Sequence, residues 1–186
     1  MYTIGIAGGS CSGKTTLTGA LEHRFKNGGL NTSVIHMDSF FKNPPPRTVA
    51  PFTGIEYKDC NHPNSFRLDD FYAAIDDAKA SAVDIVIVEG LLVLWLDEAR
   101  QRLDLRIFVD LASDERLYRR IKRFMRDTNE TIDEIASRYL DTVRFRYDEF
   151  IEPSRWYADL VINGSADTNR SSEIVYRYVN GEIRGK

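Results

Sequence analysis

The sequence carries, near its start, Gly8-Gly9-Ser10-Cys11-Ser12-Gly13-Lys14-Thr15, and this stretch decides the fold. It fits the pattern Gly-x-x-x-x-Gly-Lys-Ser/Thr, in which a glycine-rich loop cradles phosphate groups. Residues 2–7 before it are apolar and β-branched, as in a buried strand. After it, Leu17, Leu21 and Phe25 fall on one face of a helix. Strand, loop and helix in this order predict a phosphate-binding loop, or P-loop.

Each residue type in the P-loop suits the binding of phosphate. Gly8 and Gly13 permit backbone conformations that a side chain would block, so successive N–H groups can point at an anion. Lys14 places a cation on the outer phosphates, and the hydroxyl of Thr15 can ligate Mg²⁺. We therefore predict that ATP, with Mg²⁺, is bound by Gly8, Gly9, Ser10, Cys11, Ser12, Gly13, Lys14, Thr15 and Thr16.

Length and composition narrow the class of protein. A chain of 186 residues suits one domain, and a net charge of −3 argues against a general nucleic-acid binder. Two cysteines give neither a disulfide framework nor metal-ligand spacing. No apolar run reaches the ~20 residues of a membrane span, and the first strand begins too early for a signal peptide to precede it. We expect a cytoplasmic protein with neither nucleic acid nor membrane as partner.

Strand and helix patterns alternate along the rest of the chain, which predicts an α/β fold with a five-stranded parallel sheet covered on both faces. Besides residues 2–7, the predicted strands are residues 33–37, 84–90, 105–110 and 159–163. Ser65 and Ser113 are predicted to cap two helices, and Thr131 with Glu134 forms a capping box for another. Residues 42–63 form a long, proline-rich stretch, and loops of this length are more often functional than idle.

Ligands of a parallel sheet bind beyond the carboxyl ends of its strands, so the P-loop, Asp38 and Glu89 should converge there. Asp38 is the predicted base that accepts a proton from an acceptor hydroxyl, and its alternative role is a cap. Glu89 is predicted to hold Mg²⁺ with Thr15, through water, or to contact the acceptor. Its alternative role is a capping carboxylate before Gly90.

Positive charge follows the fourth strand. Arginines recur there at the spacing of a helix, at Arg116, Arg119, Arg120 and Arg123. Another face of the same predicted helix is apolar and carries Leu117, Ile121 and Phe124. Like charges at this spacing destabilise an isolated helix by about 0.2–0.5 kcal/mol per pair, a tolerable cost if an anion lies opposite. We predict that Arg119 and Arg123 are catalytic and stabilise the transferring phosphoryl group. A solvated basic face is the alternative.

These residues resemble the uridine kinase and nicotinamide riboside kinase group of P-loop kinases, from residue 2 to about 163. Asp38-Ser39-Phe40-Phe41-Lys42 is similar to the family motif that carries the catalytic base. Asn61-His62-Pro63-Asn64-Ser65-Phe66 is similar to the family's Asp-His-Pro-Asp-Ala-Phe, and Glu89-Gly90-Leu91-Leu92 to its Glu-Gly-Ile-Leu. The arginines look like the start of the family's lid helix, and residues 153–159 like its closing motif. The resemblance implies the P-loop nucleoside triphosphate hydrolase fold, with a helical lid at about residues 113–131. It further implies transfer of the γ-phosphoryl group of ATP to the hydroxyl of a nucleoside or similar small molecule.

The acceptor pocket is expected beside the long loop, because this loop follows Asp38 directly. The predicted acceptor-binding residues are Asp38, Phe40, Tyr57, Asn61, His62 and Glu89. Asn61 departs from the family, which has there an aspartate that grips ribose hydroxyls; an amide can still hydrogen-bond a diol, without charge assistance. Residues 78–83 leave no room for the segment that reads the pyrimidine in uridine kinases, so pyrimidine specificity does not carry over.

The lid departs from the family as well. Asp127-Thr128-Asn129-Glu130 replaces Glu-Arg-Gly-Arg, so two arginines are missing, with only Arg126 nearby to compensate. A non-catalytic nucleotide-binding protein that descends from a kinase therefore remains open, although the guanine and switch motifs of a GTPase are absent from the sequence. If the protein is a kinase, nicotinamide riboside is the alternative candidate for its acceptor, and Phe41-Lys42 and the short chain favour this alternative. The sequence leaves the oligomeric state open, a homo-oligomer included.

Overall fold

A five-stranded parallel sheet forms the centre of the protein, which confirms the predicted α/β class. The computed structural model describes residues 1–185. The strands are β1 (Tyr2–Gly8), β2 (Thr32–His36), β3 (Arg47–Val49), β4 (Glu56–Lys58), β5 (Ile85–Glu89), β6 (Leu105–Asp110) and β7 (Leu160–Asn163). The sheet has the order β2-β5-β1-β6-β7, whereas β3 and β4 form a separate antiparallel hairpin. The carboxyl ends of all five parallel strands therefore meet at one edge.

Helices cover both faces of the sheet. They are α1 (Lys14–Asn27), α2 (Leu68–Ala80), α3 (Asp97–Arg100), α4 (Ser113–Asp127), α5 (Ile132–Arg138), α6 (Arg144–Arg146), α7 (Glu152–Ser154) and α8 (Thr168–Arg184). In β5, which lies between β2 and β1, Ile85 and Ile87 pack with α1 and α8, whereas Val86 and Val88 pack with α2. Successive side chains of a strand point to opposite faces, so β5 serves both halves of the core. No helix within residues 1–185 is long and apolar enough to cross a bilayer.

The chain stays helical for a long distance after α4, the helix of the predicted lid. Helices α5, α6 and α7 are joined by two π-helical segments, Tyr139–Val143 and Tyr147–Ile151, and we name residues 132–154 the post-lid helix. Its predicted capping box is confirmed, because Thr131 and Glu134 satisfy each other's backbone N–H groups. The spacing of apolar residues in the sequence does not predict the two π-helical segments.

Both serine caps predicted from the sequence are wrong. Helix α4 begins at Ser113 itself, with Ala112 in the cap position, and no side-chain cap is formed by the described residues. Ser65 lies in a 3₁₀ turn before α2, and its hydroxyl donates to the carbonyl oxygen of Asp59 at 2.8 Å. The Ser65 hydroxyl holds the preceding loop instead of the helix.

The long loop, residues 42–63, contains the β3–β4 hairpin, which the sequence reading treated as irregular. Side-chain hydrogen bonds tie this loop to the post-lid helix. Thr53 and Tyr57 both donate to Asp141 at 2.9 Å, and Arg146 donates to Asp59 at 2.9 Å. The loop is therefore a structured wall beside the edge of the sheet where the strands end.

Candidate active site

A cleft of about 320 Å³ lies at the carboxyl edge of the sheet. Most of the residues predicted for nucleotide binding and catalysis line it, and the lining consists of Ser10, Cys11, Gly13, Lys14, Thr15, Thr16, Asp38, Glu89, Leu91, Arg119, Arg123 and Arg126. The convergence follows from the parallel sheet, because β1, β2 and β5 end side by side.

The P-loop leaves the sheet at the end of β1 and turns directly into α1. Gly8 and Gly13 have φ of +140° and +107°, and a side chain on Gly8 would collide with the carbonyl oxygen of Val109. Cys11 also adopts a positive φ, +64°, which is uncommon for a residue other than glycine. Helix α1 begins at Lys14 without a side-chain cap from the described residues. Its first N–H groups and its positive dipole end are therefore available to an anion.

Lys14 is buried, with 7% of its surface exposed. Its Nζ donates to the carbonyl oxygen of Gly9 at 3.1 Å and lies 3.8 Å from Oε1 of Glu89. Burial lowers the pKa of Lys14, although the carboxylates of Glu89 and Asp38 act in the opposite direction. The buried ammonium group of Lys14 has only this long contact with a carboxylate, so it can bind a further anion such as a phosphate group.

Asp38 and Glu89 face Lys14 from two neighbouring strand ends. Asp38 lies in the 3₁₀ turn Met37–Phe40 after β2, and its surface is exposed to the cleft. Desolvation by the cleft walls raises the pKa of Asp38, with Lys14 acting against it and Glu89 adding to it. Glu89 is buried and accepts from Nδ1 of His36 at 2.9 Å. Neither carboxylate accepts a capping hydrogen bond within the described part of the chain.

His36 is a partner of Glu89 that the sequence reading missed. Its position at the end of β2, across from Glu89 in the strand register, was the available signal. The hydrogen bond holds Oε2 of Glu89 towards His36, while Oε1 points towards Lys14. Together with the Thr15 hydroxyl and Asp38, Glu89 supplies oxygen donors to the cleft, the donor chemistry that Mg²⁺ prefers.

The arginines of α4 divide into two sets. Arg119 and Arg123 line the cleft. Arg116 and Arg120 are instead buried, with 3% and 7% of their surface exposed, whereas Leu117, Ile121 and Phe124 on the apolar face are only half-buried. The guanidinium of Arg116 stacks 3.6 Å from the ring centre of Tyr147, and its Nε donates to the carbonyl oxygen of Leu111 at 3.0 Å. Arg116 and Arg120 therefore form the buried face of α4.

Arg120 contacts the P-loop through a hydrogen bond to Ser10. Its Nη1 donates to the hydroxyl of Ser10 at 3.2 Å, and its guanidinium stacks on the ring of Phe124. Arg119 makes its own contacts, with the carbonyl oxygen of Gly164 at 3.1 Å and with Glu115 at 2.7 Å. The P-loop and the lid helix are thus in contact through arginine side chains, a role for Arg120 that sequence spacing alone did not reveal.

The predicted acceptor residues are only partly brought together. Phe40 packs edge-on against Phe71 at 5.5 Å in the core and does not line the cleft. The Tyr57 hydroxyl is bonded to Asp141, so it also lies away from the cleft lining. The Phe40 ring thus packs in the core and the Tyr57 hydroxyl joins the long loop to the post-lid helix.

Asn61 and His62 lie on the long loop and are not among the residues that line the cleft. Asn61 is buried, and its backbone N–H donates to Oδ1 of Asp59 at 3.0 Å. His62 accepts from the N–H of Asn64 at 3.0 Å and packs edge-on against Phe150. Asp59 is buried and anchors this segment through an ion pair with Arg146. The Asn61 amide is therefore carried by a fixed backbone.

Sequence comparison places the chain among known proteins. Residues 65–171 match the family described as Phosphoribulokinase / Uridine kinase. A uridine kinase of Chlamydia pneumoniae is 31% identical over 207 aligned positions, which cover 98% of this chain and 90% of that protein. A uridine kinase of Lactococcus lactis subsp. lactis (strain IL1403) is 33% identical, with 86% of each chain covered.

Solved structures agree on the fold. The structure of a possible uridine kinase from Bacillus stearothermophilus has a TM-score of 0.59 at 18% identity, with 87% of this chain and 88% of that chain covered. A shikimate kinase from Acinetobacter baumannii has a TM-score of 0.60 at 12% identity, with 98% and 94% covered. The family match, the relatives above 30% identity and the P-loop cleft lead to one conclusion: the chain is a P-loop kinase and belongs to the phosphoribulokinase / uridine kinase family.

Proposed function

We propose that this protein transfers the γ-phosphoryl group of ATP to a hydroxyl of a ribonucleoside, and that uridine is the first acceptor to test. The observation that carries the proposal is that Asp38 and the buried Lys14 line the same P-loop cleft. A carboxylate of raised pKa and a buried cation there suit proton removal and phosphate binding. The similarity to named uridine kinases supports a nucleoside acceptor.

The proposed reaction begins with ATP on the P-loop. Backbone N–H groups at the start of α1 and the Lys14 ammonium group bind the phosphates. Thr15, and Glu89 through water, are the residues that would hold Mg²⁺, which neutralises charge on the phosphate oxygens. Arg119 and Arg123 lie on the lid side of the same cleft and stabilise the charge that spreads over the transferring group.

Asp38 serves as the base. Its carboxylate accepts the proton of the acceptor hydroxyl while the hydroxyl oxygen forms a bond to the γ-phosphorus and the bond to the β-phosphate oxygen breaks. ADP leaves, and the acceptor becomes a phosphate ester. The raised pKa of Asp38 makes it a stronger base than an aspartate of ordinary pKa.

An acceptor panel tests this proposal. The purified protein, with ATP and Mg²⁺, is offered uridine, cytidine, nicotinamide riboside or pantothenate, and ADP formation is measured against a blank without acceptor. We expect ADP release that depends on a ribonucleoside, with uridine used at least as well as nicotinamide riboside. ADP release that no acceptor increases would contradict the kinase proposal, and preference for pantothenate would contradict a ribonucleoside acceptor.

Asn61 is proposed to hydrogen-bond the ribose diol. Asn61→Leu keeps the approximate volume but removes every side-chain hydrogen bond, so we expect nucleoside turnover to fall by about 10²-fold or more, mostly through KM. Asn61→Asp restores a charged acceptor and should keep or improve turnover. Asn64→Leu, an exposed position three residues away, is the matched control. Full activity of Asn61→Leu towards a ribonucleoside would remove Asn61 from the acceptor site.

A further inference from the structure

The two lid arginines that the chain lacks are replaced by residues that turn away from the cleft. The Thr128 hydroxyl donates to the carbonyl oxygen of Phe124 at 2.8 Å and closes the end of α4. Glu130 pairs with Arg138 of the post-lid helix. Both side chains are thus used in the turn between the two helices, and neither lines the cleft.

Arg126 lines the cleft instead. It follows Arg119 and Arg123 at the spacing i, i+4, i+7, so all three guanidinium groups project from one face of α4 towards the P-loop. The Arg126 side chain is 76% exposed, and its only hydrogen-bond partner in the described chain is the carboxylate of the next residue. Arg126 is therefore a cation on the phosphate side of the lid without a buried structural contact.

Asp127 holds two of these cations. Nε of Arg126 donates to its Oδ1 at 2.8 Å, and Nε of Arg123 lies 3.7 Å from its Oδ2. The hydrogen bond from Arg126 lowers the pKa of Asp127, so this carboxylate is ionised at neutral pH. Exposed ion pairs contribute little in water, so a triphosphate, with several negative charges, can displace a single carboxylate.

We propose that Arg126 is a phosphate-binding residue of the lid that takes over from the arginines missing at positions 128 and 130, and that Asp127 occupies Arg123 and Arg126 until ATP replaces it. The inference rests on the proposed function for its effect on turnover. Its effect on nucleotide affinity does not depend on the acceptor, because the contacts are made to phosphate alone.

Arg126→Ala, compared with Lys122→Ala, tests the first half. Both variants remove one positive charge from an exposed position of α4, but Lys122 does not line the cleft. We measure binding of a fluorescent ATP analogue with Mg²⁺ and, in parallel, kcat and KM for ATP with the best acceptor. We expect Arg126→Ala to lose on the order of tenfold in affinity and in kcat/KM, Arg126→Lys to recover part of it, and Lys122→Ala to stay within about twofold.

Asp127→Asn tests the second half, since it removes the competing charge at nearly constant shape. We expect tighter nucleotide binding by about threefold or more, and this gain should vanish when Arg126→Ala is also present. Arg126→Ala and Lys122→Ala with equal affinities would overturn the role of Arg126, and an unchanged affinity in Asp127→Asn would overturn that of Asp127. If the wild type binds ATP but phosphorylates no acceptor, while Arg126→Ala still binds more weakly, the proposed function fails and this inference stands.

Discussion

Lys14→Ala is expected to abolish phosphoryl transfer, with a fall in turnover of at least ~10²–10³-fold, the cost of losing one preorganised charge-stabilising donor. Lys14 is the one lysine among the cleft-lining residues, and its Nζ is already fixed by the carbonyl oxygen of Gly9. The measurement is acceptor-dependent ADP formation at saturating ATP, together with nucleotide affinity, which should also weaken.

The stability of the same variant separates a catalytic effect from misfolding. The lowered pKa of Lys14 shows that its charge is costly in the folded state, so its removal should leave the melting temperature unchanged or higher. Lys26→Ala, an exposed lysine later in α1, is the control. Normal turnover in a folded Lys14→Ala protein would overturn the P-loop as the phosphate site.

Asp38→Asn is expected to lower turnover by ~10²–10⁴-fold while nucleotide and acceptor affinities stay close to those of the wild type, because only the proton acceptor and its charge are lost. Asp69→Asn, at an exposed position of α2, is the matched control. A loss below about tenfold, with the chemical step shown to limit the rate, would mean that Asp38 is not the base.

The raised pKa of Asp38 adds a second, independent test with a definite sign. A carboxyl whose folded-state pKa exceeds its unfolded value stabilises the fold only at acid pH, and this contribution is lost as the pH rises through the folded pKa. The ionised Asp38 is therefore a stability cost at neutral pH. Asp38→Asn should melt higher than the wild type at pH 7, and the difference should shrink as the pH falls. A lower melting temperature at pH 7 would contradict the pKa direction.

The sheet and its catalytic edge were predictable because their signals are local. The P-loop pattern fixes one strand end, and the apolar runs that stop at Asp38 and Glu89 fix two more. Parallel strands bring their carboxyl ends to one edge, so the meeting of Lys14, Asp38 and Glu89 follows from topology without any knowledge of side-chain packing.

The inner face of the lid helix was not predictable in the same way. An apolar stripe is the usual buried face of a helix, yet Arg116 and Arg120 are the buried residues of α4. Their burial depends on the Leu111 carbonyl just before α4, and on the Tyr147 ring and the Ser10 hydroxyl, which come from two distant parts of the chain. No sequence window around α4 contains Tyr147 or Ser10.

The surroundings of Phe40 and Ser65 were not predictable for a related reason. An aromatic ring after a strand can fill a core or face a ligand, and only the position of Phe71 decides for Phe40. A serine before an apolar run can cap a helix or bond to a loop, and the carbonyl oxygen of Asp59 decides for Ser65. Both choices depend on tertiary partners, whereas the capping box of α5 depends on four consecutive residues and was predicted.

The hydrogen bonds between the long loop and the post-lid helix couple the positions of these two segments. Asp141 accepts hydrogen bonds from Thr53 and Tyr57, and Arg146 donates one to Asp59, so the long loop and the post-lid helix are joined at two points that are less than two helical turns apart. Only residues 128–131 separate that helix from α4. A displacement of the long loop would therefore have to break these bonds or move the post-lid helix with it.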